Sequence, residues 1–407
     1  MATINQGNLV DYYALGSGFG ASYETPNWKG FQLTLSAYVW DNLVSSNLAP
    51  QVNLINRYEI GLFDITRPEY KGPLARLEHL RLSYQRSHLS LTVGRMILKT
   101  PFVNPQDGRM RPNMQEGGWI EWRQSKRWHA QGGILWRMSP RSTEKWYTIA
   151  ETFGIYPQAR AITGRPATYK GNIPKQPLVI GALSYHVGLS TQLQYWFYWM
   201  PQMFYTQFLQ LEGNIKNGYG QGFWGVQWAW QTDLDARSEL SAEKRYMPKN
   251  HRAWVMSARI GQRINFHHFT LNYTHIGDAG QWLFPREWGR DPFYTFIPRE
   301  RNEGFANVHA ITFNYQTRLT QTLQLQLSVG NYAVPHPTNA LKNKYAMPDY
   351  QQLNTSLLWR PQGFWKGLEV ELLYMIKNNG GSEPLDDNFI INKVNMHHVN
   401  WIVNYRF

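Results

Sequence analysis

Gln321-Thr322-Leu323-Gln324-Leu325-Gln326-Leu327-Ser328-Val329-Gly330 decides how the chain is read. Leu323, Leu325, Leu327 and Val329 fall on one face of an extended strand, and Gln324, Gln326 and Ser328 on the other. A helix would scatter both sets around its circumference. The same period of two runs through 367–377, where Leu368, Val370, Leu372, Tyr374 and Ile376 oppose Glu369, Glu371 and Lys377. It recurs in 31–40, 127–138 and 269–275. It closes the chain, where Val399, Trp401, Val403, Tyr405 and Phe407 oppose His398, Asn400, Asn404 and Arg406.

Alternation alone fits a soluble sandwich or a membrane barrel turned inside out. Two features favour the membrane. The segments are about ten residues long, as tilted spanning strands require, against about five or six in soluble sheets. Aromatics gather at strand ends, among them Tyr38 and Trp40, Trp119 and Trp122, Trp228 and Trp230, Trp359, Tyr374 and Tyr405, as in interfacial girdles. Composition agrees: of 407 residues, 17% are charged and 15% aromatic, with 18 Trp and 24 Tyr. The absence of Cys excludes disulfide scaffolds, thiol catalysis and iron–sulfur sites. Mean hydropathy is −0.50, and no apolar run reaches the length of a spanning helix. The net charge of 41 − 28 = +13 is not gathered into any basic block of five or more, so nucleic acid is not an expected partner. Residues 1–7 contain neither a basic segment nor an apolar one, so no secretory signal is visible.

Strands are expected near 12–25, 30–40, 74–86, 88–97, 117–125, 127–138, 178–187, 190–199, 203–214, 219–231, 251–263, 265–275, 305–316, 320–331, 350–360, 366–376 and 393–407. Short turns alternate with long connections at 41–73, 98–116, 139–177, 232–250, 276–304, 332–349 and 377–392; one long slot, at 201–202, is short. A soluble barrel has no reason to sort its loops by side, whereas an outer-membrane barrel has short periplasmic turns and long external loops. The fold class expected is an all-β, transmembrane, antiparallel up-and-down β-barrel, a single domain over 1–407. Seventeen strands is an odd number, and bacterial single-chain barrels have even ones. The strand at 12–25 therefore needs an outward-running partner before it. The expectation is eighteen strands, with the first largely missing from this chain and a signal peptide absent with it.

The segment after strand 88–97 carries three prolines and an Asp-Gly pair, which set turns rather than loose coil. Gly94-Arg95-Met96, Thr100-Pro101-Phe102-Val103-Asn104 and Asp107-Gly108-Arg109-Met110-Arg111-Pro112 resemble the OprD family of substrate-specific outer-membrane porins. Similar too are Tyr13-Ala14-Leu15-Gly16-Ser17-Gly18-Phe19-Gly20 and Tyr273-Thr274-His275-Ile276-Gly277-Asp278, and the terminal Phe407 resembles the C-terminal aromatic of bacterial outer-membrane proteins. The resemblance implies a monomeric eighteen-stranded barrel whose third and seventh external loops fold inward. It also implies basic side chains along one pore wall that guide carboxylate-bearing solutes. By order these loops are 98–116 and 276–304. The constriction candidates are then Asp107, Arg109 and Arg111, with Asp278, Arg286, Arg290, Asp291, Arg299 and Arg301. The polar faces of the strands offer His79, Arg81, Arg123, Arg137, Arg259, His398 and Arg406 for the basic wall. A β-bulge would reverse any of these facings.

Little else suggests chemistry. His267-His268 and His397-His398 are adjacent, so each pair splits across two faces and cannot chelate a metal. Gly18-Phe19-Gly20 precedes no helix. Glu369 and Glu371 share a face, where charge balance with Lys377 and neighbouring arginines is expected rather than an acid pair. No Gly-x-Ser-x-Gly is present. The reading is therefore a non-enzymatic porin without cofactor or metal, passing small hydrophilic, anionic solutes, in contact with outer-membrane lipid and lipopolysaccharide. The rivals are an outer-membrane lipid hydrolase and a non-conducting adhesion or scaffold barrel.

Overall fold

The computed structural model describes residues 1–49, 56–106, 109–235, 237, 239–382 and 384–407. The strands are β1 (Ala2–Asn5), β2 (Tyr12–Glu24), β3 (Phe31–Ser45), β4 (Leu74–Arg86), β5 (Leu89–Met96), β6 (Met114–Trp122), β7 (Trp128–Ser139), β8 (Tyr147–Thr148), β9 (Leu178–Val187) and β10 (Thr191–Met200). They continue as β11 (Phe204–Asn217), β12 (Gly220–Asp233), β13 (Arg252–Ile264), β14 (His267–Ile276), β15 (Val308–Arg318), β16 (Leu323–Ala333), β17 (Tyr350–Trp359), β18 (Leu368–Asn379) and β19 (Met396–Tyr405). Each pairs antiparallel with its successor, except that β7 passes over the two-residue β8 to pair with β9. Eighteen strands form the barrel and β8 is a small addition at its external end.

The ring closes through β1. Ala2–Asn5 pairs with Val399 to Met396 of β19 on one side, and Ala2 and Thr3 pair with Tyr13 and Tyr12 of β2 on the other. The slot required by strand parity is thus occupied by four residues at the external end of the seam. Closure matters because hydrocarbon offers backbone groups no partner, so a spanning sheet must satisfy them all internally. Among the described residues no helix is long and apolar enough to cross a membrane.

Side chains sort as a barrel in lipid demands. Ile311, Phe313, Val329, Ile260 and Val226 face outward and are exposed, while Ser328, Asn354, Ser257 and Thr312 face inward and are buried. Three bulges break the phase, between Leu15 and Gly16, Leu35 and Ala37, and Glu116 and Gly117. The second has a visible consequence in β4, where Leu77 and Leu80, three residues apart, are both exposed. Above the slip Leu74, Arg76 and Glu78 face the lumen; below it His79, Arg81 and Ser83 do.

Turn chemistry fixes local geometry. Gly94 has φ +116°, and a Cβ there would stand 2.1 Å from the Leu80 carbonyl oxygen, so only glycine fits the Gly94-Arg95-Met96 strand end. Long external loops turn back into the barrel. Their aromatic residues, with inward side chains of the β9–β13 wall, form the main buried apolar cluster, centred on Phe102, Phe208, Phe284, Trp282 and Trp288.

Candidate pore constriction

The segment between β5 and β6 is fixed in the lumen by one aromatic side chain and one amide. Phe102 is 1% exposed, and its ring lies 4.9 Å from Phe284, 5.6 Å from Trp282 and 5.6 Å from Phe208, a wall residue of β11. The Phe102 N–H donates to the Tyr198 hydroxyl of β10, which donates in turn to Thr100 Oγ1 at 3.0 Å. Asn104 joins this segment to the one between β14 and β15. Its Nδ2 donates to the Arg290 carbonyl at 3.0 Å, its Oδ1 accepts from the Arg290 N–H at 3.1 Å, and its own N–H donates to the Trp288 carbonyl. The second segment is itself tied to the wall. Gln352 and Asn354 of β17 both donate to the Pro298 carbonyl, Tyr332 of β16 donates to the Thr295 carbonyl, and Tyr294 donates to Glu212 of β11.

Guanidinium groups gather where these loops meet the wall. Arg109 lies in the electrostatic reach of Arg299, Glu59 and Tyr156, and Arg141 in that of Arg109 and Arg301. Burial, with the neighbouring guanidinium charges, pushes Arg109 and Arg141 each down to about 9, which still leaves both cationic at neutral pH. Arg299 has φ +72°, a left-handed backbone that costs a non-glycine residue on the order of 1–3 kcal/mol. The two amides holding Pro298 secure it there. Glu59, from the segment between β3 and β4, accepts from Thr3 Oγ1 at 2.5 Å and lies 3.7 Å from His398 Nδ1. Desolvation raises the Glu59 carboxyl above its usual range.

Arg111 sits beside this group, its Nε donating to Glu78 Oε1 at 2.7 Å with the guanidinium 3.6 Å over the Tyr38 ring. Arg76, on the same carboxylate, also donates to Ser139 Oγ and the Pro112 carbonyl. Asp291 is buried and accepts from the Asn302 N–H at 3.2 Å; desolvation pushes its carboxyl up to about 6.

The remaining candidates are dispersed. Asp107 lies outside the described residues. Asp278 is 62% exposed at the external rim and pairs with Lys342. Arg286 belongs to a closed ionic group with Glu287, Glu303 and Lys344, its guanidinium 4.6 Å over the Tyr345 ring, which locks the β14–β15 segment to its neighbours. Arg290 lies over the Phe296 ring. On the wall, His79 bonds Ser36 Oγ at 2.7 Å, Arg81 approaches Thr34 and Glu24, and His398 meets Thr3. Arg259 pairs with Glu212 at 2.5 Å and stacks on Tyr294. Arg123 and Arg406 fall just beyond strand ends, Arg123 being 67% exposed and paired to Glu121. Arg137 adjoins the third bulge at the external end, donating to the Trp146 carbonyl. Of these three wall candidates, Arg123 follows the end of β6 at Trp122, Arg406 follows the end of β19 at Tyr405, and Arg137 lies near the external end of β7.

Sequence reasoning missed Glu59, Arg76, Glu78 and Arg141. Arg76 and Glu78 were hidden by the slip in β4, and the others stand on loop segments without periodicity. Glu369 is balanced by Arg360 at 2.7 Å, while Lys377, further along β18, lies over Tyr350. Among the described residues no three metal-ligating side chains converge.

A family model described as outer membrane porin, OprD family, matches residues 78–343. Solved structures align over 99% of the chain. One is Pseudomonas aeruginosa OpdK with vanillate, at 15% identity, TM-score 0.74 and 95% of that chain covered. Another is Acinetobacter baumannii OccAB2, at 13% identity, TM-score 0.76 and 94% covered. A sequence search of curated proteins gives no significant match.

Proposed function

This chain belongs to the OprD family of outer-membrane porins, and from that premise we propose that it passes small anionic, carboxylate-bearing solutes through a basic constriction. It is a bacterial outer-membrane channel and not an enzyme, which sets the hydrolase reading aside. The observation that carries the finer reading is the gathering of Arg109, Arg141, Arg299 and Arg301 where two infolded loops meet the wall.

A carboxylate entering a narrow lumen loses hydration, and that loss opposes entry unless donors replace it. Guanidinium forks do so, offering paired N–H groups at fixed spacing. At an effective dielectric of about 20, one such charge 6 Å away contributes roughly 3 kcal/mol of attraction. Carboxylates nearby are few and largely committed, Glu78 to Arg76 and Arg111, and Glu59 to Thr3 and Asn56. A cation meets the same field as a barrier. No energy source enters, so flux follows the gradient. The vanillate of the OpdK structure is an aromatic carboxylate, which makes it a suitable probe.

The test is a planar-bilayer measurement with Arg109→Gln and Arg141→Gln combined. The reversal potential in a salt gradient is expected to move toward the cation side, and benzoate or vanillate entry into liposomes to slow. An unmoved reversal potential in a conducting variant would reduce the site to a hydrated opening without charge selection.

A further inference from the structure

The net charge of the chain is concentrated somewhere other than the pore. The eight short turns join β2 to β3, β4 to β5, β6 to β7, β9 to β10, β11 to β12, β13 to β14, β15 to β16 and β17 to β18. Taken with two strand residues on either side and the end of β19, they hold eleven Lys or Arg and three Glu, a balance of 11 − 3 = +8 against +13 for the whole chain. Seven of the eight turns carry a cation; only the one around Leu189 does not.

All three carboxylates turn into the lumen and are committed there: Glu24 to Arg81, Glu121 to Arg123 and Glu369 to Arg360. The nine other cations are exposed, Lys29, Arg86, Lys126, Arg127, Lys216 and Lys366 among them, with Arg263, Arg318 and Arg406. Among the described residues none of these nine makes an ion pair within 4.0 Å.

The turn tips are apolar. Phe364 is 89% exposed, Leu189 108%, Tyr219 83% and Trp28 68%, with Phe266 and Leu319 also exposed. Lys29 lies 5.4 Å over the Trp28 ring. Exposed aromatics also stand at strand ends along this rim, Trp122, Trp128 and Trp359. Large apolar groups protruding into water are unfavourable, whereas Trp, Tyr and Phe settle at a bilayer interface and neighbouring cations reach the phosphates.

We infer that this rim is a binding surface for anionic glycerophospholipid headgroups of the periplasmic leaflet. The inference rests on the outer-membrane placement of the barrel with its short turns toward the periplasm. Cations spread around the circumference suit an annulus of lipid better than a protein partner, which would need one contiguous patch. Attraction of this kind is electrostatic and weakens with salt.

The test uses the intact barrel in vesicles of phosphatidylethanolamine with and without phosphatidylglycerol. Lipid that stays with the protein after mild detergent extraction is measured by mass spectrometry. The variant combines Lys29→Gln, Arg86→Gln, Lys126→Gln, Arg127→Gln and Lys366→Gln, and its closure is checked by heat-dependent gel mobility. The wild type is expected to retain phosphatidylglycerol several-fold above its share of the vesicle, and the variant to retain only that share. High salt during extraction should have the same effect as the substitutions. Retention at bulk proportion by the wild type overturns the proposal and favours an acidic periplasmic partner. Enrichment that survives in the closed variant overturns it too, as does enrichment abolished instead by Arg252→Gln at the external end. The reversal potential set by Arg109 and Arg141 is a separate readout, so failure of the lipid surface and failure of anion selection are distinguishable.

Discussion

Asp291, proposed for the constriction, is a buried carboxylate whose charge changes at mildly acid pH. Burial raises it to about 6, so it is ionised above that value and neutral below it. Protonation removes one negative charge from beside Arg301, and the local balance becomes more positive by one unit as pH falls. Anion selectivity should therefore rise between pH 7 and pH 5, by a pH-dependent step in the reversal potential centred near the raised value. Asp291→Asn should flatten that step and hold the channel at its acidic selectivity; a step unchanged in the variant would assign the titration elsewhere. At this scale the sequence was readable wherever alternation ran unbroken. Arg259 and His398 are inward-facing residues of the unbulged strands β13 and β19. Arg76 and Glu78 were not readable, because β4 carries the extra residue, with Glu78 and His79 together opposite Ser36, and this shift of one position leaves no mark in composition.

Between residues and barrel stands the contact of the two infolded loops. It is made of Phe102 set among three aromatic rings of the facing loop, Trp282, Phe284 and Phe293, and of Asn104 bonded to Arg290 on both sides of its amide. Phe102→Ala should cost about 3–5 kcal/mol by deletion of a buried ring. The strands hold the barrel closed without it, so the loss is expected in loop order. Single-channel records should show a noisier and larger open current while heat-dependent gel mobility stays that of a closed barrel. Deletion of 104–111 should enlarge the conductance further. A variant with wild-type current would mean that these loops do not limit flow. The strands were legible from their period, and the order of the loops followed from counting strands. Which loop residues meet was not legible, since Phe102, Trp282 and Trp288 are far apart in the chain and obey no common spacing.

For the whole molecule, the ladder closed through β1 and the absence of Cys place stability in hydrogen bonds and in the aromatic cluster inside. Raising the ionic strength to about 1 M shortens the Debye length to about 3 Å, which screens the guanidinium field but leaves ring packing intact. Anion preference should thus fade with salt while the largest neutral sugar admitted stays the same, a pair of measurements made by reversal potential and liposome swelling. A size limit that shifted together with selectivity would show that charge also shapes the opening. On the proposed function, the aromatic contact at Phe102 and the arginine group are two separate controls, one of size and one of charge. Related channels could keep the clamp and exchange only Arg109, Arg141, Arg299 or Arg301, acquiring a different diet without relearning how to fold.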